Sequence, residues 1–122
     1  GNQNWAMDTS ILICVCANKK FKHNDKENKW SQYDTGAASE NICLQSTYLG
    51  LAAHQMGGFD SDKIRNLANI PVEFDVMSFI AIGKPLAKES MTNEQVEAEG
   101  SARKRLQLNE IYFENKWDNF KG

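Results

Sequence analysis

"LGLAAHQMGGFDSDKIRNLANIP", Leu49 to Pro71, is the stretch whose reading decides the fold. It sets two adjacent glycines, Gly57 and Gly58, between an apolar run and a fresh helix start. Glycine inside a regular element costs roughly 0.5–1 kcal/mol relative to alanine, so a pair answers some other need. That need is a tight turn, or a place where a second molecule approaches the backbone closely. After the pair, "FDSDKIRNLANIP" reads as a short helix, with Asp60 or Ser61 as N-cap and Pro71 beyond its end. Before it, "LAAHQM" runs extended into the glycines, and Gly50 is placed to end a preceding helix as its C′ residue.

Outward from this stretch, Asp34 offers an N-cap for a helix through "TGAASENICLQSTYL". Ala38, Ile42 and Leu49 form one apolar stripe on it, and Ala37, Leu44, Tyr48 and Leu51 a second. Two stripes predict a helix buried on more than one side, at a domain centre or a subunit interface. Further upstream, Ile11 to Ala17 is a short apolar run rich in β-branched residues and reads as a buried strand. The segment "NKKFKHNDKENKWSQ" between them is a solvated loop, because Asp25 and Glu27 interrupt its lysines.

Downstream, "EFDVMSFIAIG" is a second strand. It is nearly continuously apolar from Val76 to Ile82, as expected for a central strand, and Gly83 and Pro85 close it. Lys88 to Lys104 is polar, and Thr92 with Gln95 caps one short helical turn there. In the final "LNEIYFENKWDNF", "IYF" reads as strand. Tyr112, Phe113, Trp117 and Phe120 form an aromatic tail suited to docking on a partner.

The chain of 122 residues is 41% hydrophobic and 25% charged, which suits one globular domain over 1–122. A net charge of −2 supplies no positive field to gather phosphates, so no nucleic-acid partner is expected. No stretch reaches the span of a membrane helix, and the N-terminus lacks the basic-then-apolar pattern of a signal peptide; a cytoplasmic protein without a membrane partner is expected. Three cysteines are too few for a disulfide scaffold. Cys14 and Cys16 share one face of the first strand, and Cys43 lies in the helical segment. His23 and His54 offer no spacing that would complete a metal site, so the thiols read as small hydrophobes.

The residues alone give little chemistry. There is no Ser-His-Asp grouping, paired-carboxylate spacing, Walker loop or G-x-G-x-x-G fingerprint. His54 is a lone histidine. Two anion-friendly features remain. Gly57-Gly58 stands ahead of a helix N-terminus, with amides able to donate. In "RKR", Arg103 and Arg105 would point the same way on an extended chain and could grip a phosphate. On pattern alone, a plain turn and a solvated basic run are the default readings.

The order of the pieces resembles the nitroreductase family of FMN-dependent oxidoreductases. The resemblance runs through "YDTGAASENICLQSTYLGLAAHQMGGFDSDKIRNLANIPVEFDVMSFIAIGKP" and "RKRLQLNEIYFENKW", with "GNQNWAMDTSILICVCA" ahead of the first strand. It implies an α+β fold, an antiparallel-rich sheet flanked by helices, in an intertwined homodimer with two flavins bound across the interface. The helix from Asp34 would lie in that interface, and the C-terminal arm would wrap the other subunit. Amides at Gly57 and Gly58 would face the flavin edge and stabilise its reduced, anionic form. Arg103 and Arg105 would hold the FMN phosphate, and His54 and Gln55 flank the turn where an acceptor would bind. NAD(P)H would deliver hydride to FMN. A nitro compound, quinone or similar acceptor would take the electrons, with no catalytic side chain and no metal.

The family's fold begins with helices that carry an Arg-x-Ser-like phosphate motif and then an Asn for the flavin pyrimidine edge. This chain starts after both. The expectation is an N-terminally truncated member: a natural truncation, a domain expressed alone, or half of a split enzyme whose second chain supplies those helices. Losing two charge-assisted hydrogen bonds of roughly 1.5–3 kcal/mol each would weaken FMN binding by about two to four orders of magnitude. The alternative is therefore a non-catalytic remnant that keeps the dimer scaffold and binds FMN weakly or not at all.

Overall fold

The computed structural model describes residues 2–117. The chain divides into two compact units, Gly1–Pro85 and Leu86–Gly122. The first opens with one helical turn, α1 (Gln3–Ala6), then strand β1 (Ile11–Asn18), helix α2 (Ser31–Tyr48), strand β2 (Ala52–Met56), helix α3 (Ser61–Ala68) and strand β3 (Phe74–Gly83). The three strands form one antiparallel sheet in the order β1-β3-β2. The strand predicted from "EFDVMSFIAIG" is therefore central, as its near-continuous apolar run requires. Val15 pairs with Ser78 and Cys16 with Val76, so Met77 is an extra residue that bulges β3.

Cross-strand pairs assign the two faces of the sheet. Ile13, Ile80 and Gln55 lie in one row, and Cys14, Phe79 and Met56 lie in the next, facing the other way. The first face is the one under α2, since Gln32 reaches Asp75 and Gln55 reaches Glu40 there, each at 3.5 Å. Ala17, Ile80 and Ile82 are buried on this side, and Ala81 and Met56 on the other. On the other face Phe59 meets Phe79 edge-on, with ring centroids 5.1 Å apart.

Helix α2 departs from the sequence expectation in two ways. It begins at Ser31, because Asn28 turns the chain by accepting from Trp30 N–H through its side chain and from Ser31 N–H through its carbonyl. Asp34 is left in the first turn rather than at the cap, where its carboxylate still suits the helix dipole. The buried face is also not an apolar stripe: it is Ser31, Ser39 and Ser46. Their spacing, with Thr35 and Ile42 between, follows one side of the helix. Thr35, Ser39 and Ser46 donate to carbonyls four residues back, at 2.6–2.8 Å, so small hydroxyls pack against the sheet with their polar atoms satisfied. Within the single chain the helix is thus buried on one side, and Tyr33, Leu44, Tyr48 and Leu49 are exposed. The predicted C′ role of Gly50 holds at φ +73°.

Helix α3 is capped as read: the Asp60 carboxylate accepts from Lys63 N–H at 3.0 Å. Its end is held by Arg65, whose guanidinium donates to Ile70 O at 3.2 Å, Pro71 O at 2.7 Å and Phe74 O at 2.7 Å. One planar fork therefore ties the helix to the start of β3. Replacing Arg65 with alanine is expected to cost about 1.5–3 kcal/mol, the worth of hydrogen bonds to a charged donor. Lysine, a single compact donor group, should recover only part of this. Urea unfolding of the two variants checks both statements, and a full recovery by lysine would refute the fork.

The second unit contains a 3₁₀ turn at Lys88–Ser90, helix α4 (Asn93–Gly100) and a single turn, α5 (Leu108–Ile111). Thr92 and Gln95 form the expected reciprocal cap of α4, at 3.2 and 2.8 Å. The strand read in "IYF" is not present. The Glu110 carboxylate accepts from Gln107 N–H at 2.8 Å while Glu110 N–H donates to the Gln107 carbonyl at 2.9 Å, which draws Ile111 into α5, and propensity for strand yields to this cap. Tyr112 and Trp117 are exposed, the Phe113 and Trp117 rings meet at a tilt of 44° with centroids 4.9 Å apart, and Phe120 lies outside the described residues.

Candidate functional site

Gly57 and Gly58 follow directly on β2, whose last residue, Met56, is buried against the sheet. Among the described residues neither glycine N–H donates to a protein acceptor, whereas Phe59 N–H closes the turn onto Gly57 O at 3.1 Å. A Cβ added at Gly57 would meet nothing within 4 Å, and one at Gly58 would meet only the Asn2 amide nitrogen at 3.7 Å. Both positions of the turn therefore have room for a side chain, and both amides lack an acceptor among the described residues. The helix end beyond it does not add to them, because Asp60 fills the N-terminus of α3 with its own carboxylate. The anion-friendly character belongs to the glycine amides alone.

His54 and Gln55 precede the turn on β2 and, by strand alternation, project from opposite faces of the sheet. His54 packs against Trp5 of α1, ring edge to face, with centroids 5.0 Å apart. Gln55 points to the α2 side and donates to Glu40. The pair flanks one turn in sequence, yet each residue belongs to a different surface. Asn2 and Trp5, which stand beside Gly58 and His54, escaped the sequence reading, since a single helical turn distant in sequence carries no periodic signal.

Arg103 and Arg105 belong to the second unit, in the exposed irregular stretch between α4 and α5. Arg105 donates to Lys104 O at 3.0 Å. On β1, Cys14 and Cys16 share a face as read, with their sulfurs 3.8 Å apart. Burial first, then the hydrogen bond to Cys16 and its charge, pushes the Cys14 thiol up to about 11. Among the described residues no cluster of three or more His, Cys, Asp or Glu could hold a metal, and no helix is long and apolar enough to cross a membrane.

An antiparallel sheet backed by one long helix, with a donor-bearing glycine turn at the end of its edge strand, defines an α+β protein of a recognisable type. The nitroreductase family model matches residues 1–84, and the chain belongs to that family. A solved oxidoreductase containing FMN superposes with a TM-score of 0.82 at 31% identity, covering 98% of this chain and 62% of its own. A nitroreductase family protein from Clostridium difficile 630 shares the fold, with a TM-score of 0.62 at 22% identity, over 89% of this chain and 61% of its own. Among curated proteins, an uncharacterized 15.4 kDa protein in the ask 5′ region of Mycolicibacterium smegmatis is 27% identical over 117 residues, 95% of this chain and 77% of that one. Protein DrgA of Synechocystis is 25% identical over 113 residues, and the chain spans 54% of its length.

Proposed function

We propose that this chain is an FMN-binding subunit of a nitroreductase-type oxidoreductase that works as a homodimer in the cytoplasm, with both units of 1–122 serving one functional domain. The observation that carries the reading is the Gly57-Gly58 turn. Among the described residues its two amides have no protein acceptor, and a side chain at Gly57 would meet nothing within 4 Å, which leaves room for a flat anionic ring edge. Bound FMN would supply the redox chemistry, taking hydride from NAD(P)H and passing electrons to a nitro compound, a quinone or a similar acceptor. The Gly57 and Gly58 amides would donate to the ring where negative charge accumulates on reduction, which favours the reduced form. Arg103 and Arg105 would hold the phosphate. His54, fixed by Trp5, and Gln55, held by Glu40, would contribute to acceptor binding from their two surfaces.

The outward face of α2 supports the dimer. Tyr33, Leu44 and Tyr48 recur on one side of the helix and are exposed, Tyr48 at 85%. A second copy would cover this apolar face. A second chain is the partner to seek if the phosphate site needs the Arg-x-Ser-like segment.

The test is an absorbance spectrum after adding excess FMN and desalting, with the assembly mass measured alongside. Retained flavin at about one per chain in a dimer is expected, followed by NADH or NADPH oxidation with a quinone. A colourless dimer would refute flavin binding by this chain alone and favour the scaffold remnant. A monomer would refute the role given to α2.

A further inference from the structure

The Cys14–Cys16 pair takes no part in the proposed flavin chemistry. Both thiols are half-buried on the sheet face opposite α2, in line with Leu12, which is exposed. Their sulfurs are 3.8 Å apart and share one hydrogen bond. Residues two apart on a strand are separated by roughly 6.6 Å, because each residue advances the chain about 3.3 Å. A disulfide needs its β-carbons within about 3.5–4.5 Å and its sulfurs at about 2.05 Å. Strand β1 is extended and pairs with β3 on both sides of the bulge at Met77, so strand spacing sets the two β-carbons beyond that reach.

The rotamers nevertheless converge the sulfurs, and the spacing they reach has a different chemical meaning. Bonds of about 2.3 Å from sulfur to one soft atom, the zinc–thiolate length, separate two sulfurs by roughly 3.4–3.8 Å at angles between about 95° and 109°. The pair therefore has the bite of a two-thiol chelate around a single atom. A tetrahedral metal ion would need two further ligands, and among the described residues no third His, Cys, Asp or Glu joins the pair. A centre satisfied by two sulfurs is the better match. Trivalent organic arsenic has this valence.

We infer that Cys14 and Cys16 form a dithiol site on β1 that chelates trivalent organic arsenicals and does not close to a disulfide. The reaction is a condensation with no change of oxidation state. The arsenic–oxygen bond of an arsenoxide breaks, two arsenic–sulfur bonds form, and the two thiol protons leave with the oxygen as one water. The ring closed through the arsenic contains both cysteines and Val15, so the second thiol attacks intramolecularly. A single thiol such as Cys43 on α2 gains nothing from this and exchanges freely with added monothiol.

Phenylarsine oxide is the probe. Incubated with the intact chain in excess monothiol, it is expected to leave one adduct per chain by mass, with loss of one water. Peptide mapping should place it on Cys14 and Cys16, and 2,3-dimercaptopropanol should strip it. Cys14→Ser or Cys16→Ser should abolish retention and Cys43→Ser should keep it. The mapping on unmodified protein stands even if a serine variant fails to fold. Diamide should produce no Cys14–Cys16 disulfide. Absence of a monothiol-resistant adduct, its mapping to another residue, or a diamide-formed Cys14–Cys16 disulfide would each overturn the inference, and none of these readouts depends on bound flavin.

Discussion

Ile80→Ala is expected to lower stability by about 2–5 kcal/mol, the range for removing a buried branched aliphatic side chain and leaving a cavity. Ile80 is 0% exposed, in the middle of the central strand, between Ile13 on one neighbour and Gln55 on the other. It projects to the face covered by α2, whose buried residues there are serines with little volume to move into the space. Collapse around the cavity is therefore limited, and the cost should sit in the upper part of the range. Against a total stability of about 5–15 kcal/mol, such a loss is large. The measurement is urea unfolding, where the midpoint should fall with the slope unchanged. Leu67→Ala, on the outer side of α3 at 81% exposure, is the control and should shift stability by no more than about 0.5 kcal/mol. A loss below about 1 kcal/mol for Ile80→Ala would mean that the α2–sheet contact is not where the chain gains its stability.

The contrast between Ile80 and α2 also shows what the sequence could disclose. The central strand was legible because burial on both faces leaves a nearly continuous apolar run, which β3 carries from Val76 to Ile82 with only Ser78 interrupting. Two caps were legible because they are local chemistry, Asp60 on Lys63 N–H and Thr92 with Gln95, whereas Asp34 was displaced from its predicted cap when Asn28 started the helix earlier. The inner face of α2 was not, because it is polar by composition. Ser31, Ser39 and Ser46 become compatible with burial only through hydrogen bonds to their own helix, which hydrophobic periodicity does not register. Of the two stripes that periodicity found, Leu44, Tyr48 and Leu49 are left facing outward, while Ile42 lies on the inner side among the serines. The failed strand at "IYF" has a similar origin, since a Gln107–Glu110 cap outweighs the β-preference of three residues. For the site, the glycine pair was visible as an anomaly of composition. The lack of an acceptor for its amides among the described residues, the Trp5–His54 contact and the opposed directions of His54 and Gln55 depend on the folded sheet.

The largest effect on ligand binding is expected from removing Arg103 and Arg105 together. Both are exposed, and neither forms an ion pair within the described residues; Arg105 spends one donor on the neighbouring Lys104 carbonyl. Their guanidinium groups are thus available to an anion, and guanidinium matches phosphate with paired donors. At roughly 1.5–3 kcal/mol for each charge-assisted contact, the double alanine variant should lose about 3–6 kcal/mol of FMN affinity, or roughly 10²–10⁴-fold in Kd. The cost at such an exposed site should shrink as ionic strength rises, because salt screens the unmodified protein's advantage. Lys104→Ala separates specific contact from general charge: on an extended chain it points away from its two neighbours, so it should change affinity far less. Riboflavin, which lacks the phosphate, separates the phosphate from the ring. Flavin fluorescence titrations should show FMN binding more tightly than riboflavin to the unmodified chain, and the two binding alike to the double variant. If riboflavin affinity falls as far as FMN affinity, the arginines act through folding or ring contact, and the phosphate assignment is wrong. If FMN holds while Gly57→Val, placed in the open space above the turn, abolishes it, the ring is seated as proposed but another group must hold the phosphate.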